Sequence, residues 1–240
     1  MGKNQRKSTG FSRAKRGRAA KEFEREKKVK RANGSTKVQR SYQRRMYGLS
    51  TGGGSIGLFG ASNIRRLDLE EVAREFCGRE VIRYGISGAT SFKLKRNVDH
   101  LILQQNQNQN QIEAIIIHGG TNDVWGPAKR HPAVSKQQIA QDIMDIAIKC
   151  LHWGVQHVFI SGIPPIGNDT DNDLAAEVNQ ITQRHCQERG DIVYIDNSWI
   201  SREHDLCDAV HLTDHHYGHP NGQSKFINNL GRVLRIHRVL

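Results

Sequence analysis

Five short apolar runs punctuate this chain from residue 56 onward: Ile56 to Gly60, Glu80 to Gly85, Glu113 to His118, His157 to Gly162 and Ile192 to Asp196. Each is short and continuous, the pattern of a strand covered on both faces. Amphipathic stretches separate them, predicting helices near Ile64 to Cys77, Phe92 to Gln104, Lys136 to Trp153 and Leu174 to Arg189, with a last helix from Asn221 to Val233. Strand alternating with helix implies right-handed crossovers and a parallel sheet covered on both sides. The expectation is a three-layer α/β/α fold of about five parallel strands, with any site beyond the carboxyl ends of those strands. The Gln/Asn run Gln104 to Gln111 precedes the third strand and reads as a low-complexity loop extension.

The remainder of the chain behaves differently. Residues 1–50 hold 17 Lys and Arg against 3 Glu, whereas residues 51–240 hold 19 against 21, so the net charge of +12 belongs to the N-terminal segment. That segment has too little apolar surface to offset the entropy of ordering and reads as a disordered basic tail when free. Ala19 to Arg31 contains good helix formers and is able to become a basic helix on an anionic partner. Thr51 to Gly54 reads as a hinge, and the chain divides into a tail, 1–50, and one domain, 51–240. Four scattered cysteines without a CxxC pair, and no apolar segment after Met1, point to reduced thiols and an intracellular protein, cytoplasmic or nuclear. No run has the 18 or so apolar residues that span a bilayer, and Arg6 stands where a myristoylation signal needs Ser or Thr.

The chemistry-bearing residues follow the strands. After the first comes Gly60-Ala61-Ser62-Asn63, where a serine on a strand-to-helix turn has a helix N-terminus behind it. The plain alternative is a helix-capping serine. After the second comes Gly85-Ile86-Ser87-Gly88, whose glycines let backbone approach a ligand or simply make a turn. After the third comes His118-Gly119-Gly120-Thr121-Asn122-Asp123, with an amide able to donate to an oxyanion or to decorate a turn. Near the end stands Asp208-Ala209-Val210-His211. That spacing lets a carboxylate reach one imidazole nitrogen and leaves the other to take a proton from a hydroxyl.

In this order the four blocks resemble the SGNH hydrolase superfamily, the GDSL-like lipases and esterases, over residues 55 to about 235. Gly120-Thr121-Asn122-Asp123 is the sharpest match, with Ile86-Ser87-Gly88 close behind. The resemblance implies a flavodoxin-like sheet and a serine esterase acting on acyl or acetyl esters. Ser62 is then the nucleophile, His211 the base and Asp208 its orienting partner. The N–H groups of Ser62 and Gly88 and the Asn122 side chain form the oxyanion hole, and no cofactor is needed. The Ser block departs from the family by reading Gly-Ala-Ser, with Ala61 where Asp is common. His219-Pro220-Asn221 also resembles the family's last block, but only His211 has an Asp three residues before it.

Other motifs carry less. The cluster of His204, Asp205, Cys207, Asp208, His211, Asp214, His215, His216 and His219 has the composition of a metal site, yet Cys207, His211 and His215 do not have a closed zinc spacing, so no metal is expected. Gly52 to Gly57 matches GxGxxG but precedes its strand. The basic tail suits phosphate contacts to RNA or DNA with little sequence readout, or else serves as a solubilising or targeting extension. Similar domains occur in transposable-element proteins, which gives a second reading: an esterase-like domain, weak or inactive, in a nucleic-acid-binding protein. The acyl and alcohol pockets would come from Val124 to Ser135 and Pro164 to Asp173, which show no diagnostic pattern. Trp125 is either a pocket wall or a core residue.

Overall fold

The computed structural model describes residues 54–107, 111–125, 134–214 and 222–240. The basic tail with its expected helix, and His215, His216 and His219, lie outside the described residues.

Strands β1 (Ser55–Gly60), β2 (Val81–Gly85), β3 (Ile112–His118), β4 (His157–Ser161) and β5 (Ile192–Ile195) form one parallel sheet in the order β2-β1-β3-β4-β5. The chain leaves β1 toward one edge and β3 toward the other. A crevice therefore opens between the carboxyl ends of these two strands, the switch point of a doubly wound sheet.

Around the sheet lie α1 (Ser62–Arg66), α2 (Leu69–Glu75), α3 (Ser91–Gln107), α4 (Thr121–Val124), α5 (Lys136–His152), α6 (Asp169–Arg189), α7 (Arg202–Asp205) and α8 (Gly222–Ile236). Alternate residues of the central strands feed opposite layers, as a pleated strand requires. Phe59, Ile115, Ile117, Val158 and Ile160 face α3, α5 and α6. Ile56, Leu58, Ala114, Ile116 and Phe159 face α1, α2 and α8. Helix α8 buries Phe226, Ile227, Leu230, Val233 and Leu234, an apolar stripe at helical spacing. The three-layer expectation holds, with burial on both faces complete for β1, nearly so for β3, and only partial for the edge strand β2.

Where the boundaries differ from the sequence reading, three of the differences have a clear local reason. The helix expected from Ile64 to Cys77 is two helices. Asp68 accepts from the N–H groups of Glu70 at 2.9 Å and Glu71 at 3.5 Å, capping a new start. Helix α6 begins five residues before Leu174, because Asn168 accepts from the Asp171 N–H at 2.9 Å. Helix α3 runs into the Gln/Asn stretch as far as Gln107, where a loop was expected; glutamine is a good helix former and sustains it. Among the described residues no helix is long and apolar enough to cross a membrane, and all four cysteines are unpaired.

Candidate active site

The crevice is shaped first by a close approach of backbone. A Cβ on Gly60 would run into the His118 carbonyl and lie 2.7 Å from Ile64 Cγ1, so only glycine lets β1 end this tightly against β3. The Ala61 N–H then donates to His118 O at 3.2 Å, and Ala61, only 1% exposed, belongs to the apolar core. The Asp common at this position in the resembled family would be desolvated here. Backbone contacts hold the serine loop instead.

Ser62 opens α1, and the helix cap is Ala61, with no side-chain cap bond. The capping role weighed for Ser62 is therefore not the one it has. Its Oγ lies 3.0 Å from His211 Nε2, 149 residues along the chain. His211 Nδ1 lies 2.7 Å from Asp208 Oδ2, while Asp208 Oδ1 accepts from the N–H groups of Val210 and His211, each at 2.8 Å. Burial raises the Asp208 pKa, but the His211 side chain and those two amides outweigh it and hold the carboxyl below its ordinary value. The anionic form is thus favoured opposite His211 Nδ1, the arrangement that fixes an imidazole tautomer.

On the other side of Ser62, Gly88 follows β2 in the left-handed region, φ +64°, with open space where a Cβ would stand. Asn122, in α4 after β3, donates from Nδ2 to Ala89 O at 3.0 Å. That bond joins the asparagine loop to the Gly88 turn and leaves one amide hydrogen for another acceptor. As the first residue of α1, Ser62 has an N–H without a partner in its own helix. All five residues singled out from the sequence, Ser62, Gly88, Asn122, Asp208 and His211, therefore stand at the carboxyl end of the sheet, three of them in direct hydrogen-bond sequence.

Several supporting residues were not identified from the sequence. Asn63, 3% exposed, donates from Nδ2 to Val210 O at 3.2 Å and accepts the Leu212 N–H at 3.4 Å. It staples the serine helix to the residues on either side of His211. Asp123 accepts from the N–H of Ser91 at 2.7 Å and its hydroxyl at 3.0 Å, tying α4 to the start of α3. Burial is the main force pushing its carboxyl up to about 6, against those hydrogen bonds. His118, fully buried and pushed by desolvation down to about 4, is neutral and lies 3.2 Å from Ser161 Oγ. Ser161 in turn accepts from Asn197 at 2.9 Å, and Asn229 of α8 donates to Asn197 at 2.9 Å, a polar seam that locks the strand ends behind the site. Trp125 is half-buried against the core, its Cδ1 near the Gly167 turn. Among the described residues no group of three or more His, Cys, Asp or Glu is disposed to hold a metal ion. A polar groove lined by Lys136, Gln141, Glu177 and Arg184, between α5 and α6, shares no residue with the site.

No curated protein matches the chain, but solved structures do. A lipase/acylhydrolase from Enterococcus faecalis superposes with a TM-score of 0.61 at 15% identity, covering 77% of this chain and 96% of that one. The native aryl esterase of M. smegmatis superposes with a TM-score of 0.61 at 14% identity, covering 77% and 99%. Est24, a carbohydrate acetylesterase from Sinorhizobium meliloti, gives 0.59 at 13% identity, covering 78% and 100%. At such identities the likeness is one of fold. The sequence model of the GDSL-like lipase/acylhydrolase family matches residues 53–224, most of the chain, and the chain belongs to that family of carboxylic ester hydrolases.

Proposed function

We propose that the protein cleaves carboxylic esters through Ser62, His211 and Asp208, with the N–H groups of Ser62 and Gly88 and the side chain of Asn122 receiving the oxyanion. The observation that carries the reading is the continuous relay Ser62 Oγ, His211 Nε2, His211 Nδ1, Asp208 Oδ2, at 3.0 and 2.7 Å. Ser62 Oγ attacks the ester carbonyl as its proton passes to His211 Nε2, and the carbonyl oxygen becomes an oxyanion among the three donors. Collapse expels the alcohol, which takes the proton from His211 and leaves an acyl group on Ser62. Water, deprotonated by the same nitrogen, then attacks the acyl carbonyl and frees the acid and Ser62. Asp208 holds the imidazole orientation and stabilises the imidazolium throughout.

Purified protein is expected to hydrolyse short p-nitrophenyl esters. Ser62→Ala and His211→Ala should abolish that turnover, whereas His219→Ala should retain it. Wild-type turnover no greater than that of Ser62→Ala would overturn the reading.

The charge of residues 1–50 favours a second activity, phosphate contacts to RNA or DNA by the tail. Deleting residues 1–50 should remove most salt-sensitive binding to nucleic acid, and unchanged affinity would refute this.

A further inference from the structure

Helix α1 carries a second chemically distinctive residue one turn after Ser62. Three residues apart on a helix, Ser62 and Arg65 share a side. Gly85 ends β2 so close to this turn that a Cβ on it would lie 2.5 Å from Arg65 Cα. From there the exposed Arg65 side chain reaches over the strand end, and Nη1 donates to Ser87 Oγ at 2.8 Å. Ser87 directly precedes Gly88, its Cα about 3.8 Å away. The guanidinium is thereby held beside the turn that offers the Gly88 N–H, and a Cβ at Gly88 would meet nothing within 4 Å, so the space in front is open.

A second guanidinium backs it. Arg83 of β2 donates from Nη1 to Leu67 O at 2.6 Å and is half-buried. Burial first, and the neighbouring Arg65 charge second, lower its pKa, with Asp68 pulling the other way. Among the described residues neither Arg65 nor Arg83 is in an ion pair. Residues 51–240 as a whole hold 19 Lys and Arg against 21 Asp and Glu, so this is a local concentration of positive charge on a nearly balanced domain. Arg65 lowers the Arg83 pKa more than Asp68 raises it, so the two cations repel one another on balance, and an incoming anion would relieve that repulsion while gaining charge-assisted, fork-shaped hydrogen bonds.

We propose that the ester this protein cleaves is itself anionic, and that Arg65, backed by Arg83, receives a carboxylate carried on the acyl or alcohol part of the substrate while its carbonyl lies over Ser62. This rests on the ester-hydrolase reading above and narrows its substrate class. Arg65 is then a specificity-determining residue. Its bond to Ser87 anchors the guanidinium and leaves its remaining donors free for the ligand.

The test uses the full chain and two matched pairs of esters. p-Nitrophenyl hemiadipate against p-nitrophenyl hexanoate carries the charge on the acyl side, and 4-acetoxybenzoate against its methyl ester carries it on the alcohol side. In at least one pair the anionic member should have the higher kcat/KM by about tenfold or more at low salt, with the preference shrinking as NaCl is raised. Arg65→Gln should bring that ratio near one, and Arg65→Lys, which keeps the charge but not the fork, should hold an intermediate value. The ratio cancels any general loss of turnover from loosening the Gly88 turn. Hydrolysis of the neutral esters with no anionic preference in either pair, or a ratio unmoved in Arg65→Gln, would overturn the proposal and leave the ester-hydrolase reading standing. Turnover of none of the four esters would overturn both.

Discussion

Asn63→Ala separates a positioning role from a merely structural one. The Asn63 amide is buried and bridges two backbone groups, Val210 O and Leu212 N–H, which flank His211. Truncation leaves both without this partner. A buried polar group deprived of its hydrogen bond costs about 1–3 kcal/mol, and the longer Leu212 contact weighs at the low end, so the expected loss is about 2–4 kcal/mol. For a folded domain of this size that lowers Tm by about 4–16 °C. The larger effect should be kinetic. His211 is held toward Ser62 from one side by Asp208 and from the other by this staple, and slack of about 1 Å in a reacting pair lowers turnover by up to about 100-fold. Differential scanning calorimetry and p-nitrophenyl acetate kinetics, both well below the variant's Tm, provide the two readouts. The signature is a fall in kcat with KM little changed, because Asn63 has no contact with the open side of the crevice. A Tm drop with kcat intact would refute the positioning argument, and an unchanged Tm would refute the account of burial.

Two further outcomes follow from the same geometry. Burial raises the Asp123 carboxyl from 3.8 to about 6, so the folded state binds this proton more tightly than the unfolded chain; its contribution to stability is full below about 4 and is lost as pH rises through about 6. Asp123→Asn can still accept from the Ser91 N–H and has no charge to bury, so its stability relative to wild type should rise between pH 4 and 7 by about 3 kcal/mol at most; a pH-independent difference in melting would sink the idea. Gly60→Ala should yield no soluble folded protein, since the added Cβ overlaps the His118 carbonyl; Gly88→Ala, strained only by its φ of +64°, should fold and lose about 1–2 kcal/mol, and equal yields of the two would contradict the packing described for the crevice.

The sheet was legible because apolar runs with no helical period leave a chain few alternatives, and the run Glu113 to His118 corresponds to a strand that is buried along nearly its whole length. The five residues of the proposed site were picked out for a related reason: a doubly wound sheet collects its reactive groups where strands end, and Ser62, Gly88 and Asn122 follow strands there. What escaped was decided by side-chain hydrogen bonds, one set local and one far along the chain. The break at Asp68 left the amphipathic pattern of Ile64 to Cys77 undisturbed; its one local signal was the Asp68-x-x-Glu71 capping spacing, which the cap bonds to Glu70 and Glu71 bear out. Asn63 pairs with a backbone carbonyl 147 residues away, a contact with no local sequence pattern.

These misses converge on α1. Five residues long, it is too short to be stable on its own, so it is held from outside: by the Ala61 N–H on His118 O, by Ile64 in the core, and by Arg65 packed on the end of β2. Held this way, it sends Ser62 to His211, Asn63 to the backbone around His211, and Arg65 to the turn before Gly88. The Ser62–His211 contact and the Gly88 turn are therefore referenced to one piece of backbone, and a shift of α1 moves both together. Ala61 stands beside the serine here, and the main chain on either side fixes the loop: Gly60 O accepts from the Ile86 N–H at 2.8 Å and the Ala61 N–H donates to His118 O at 3.2 Å.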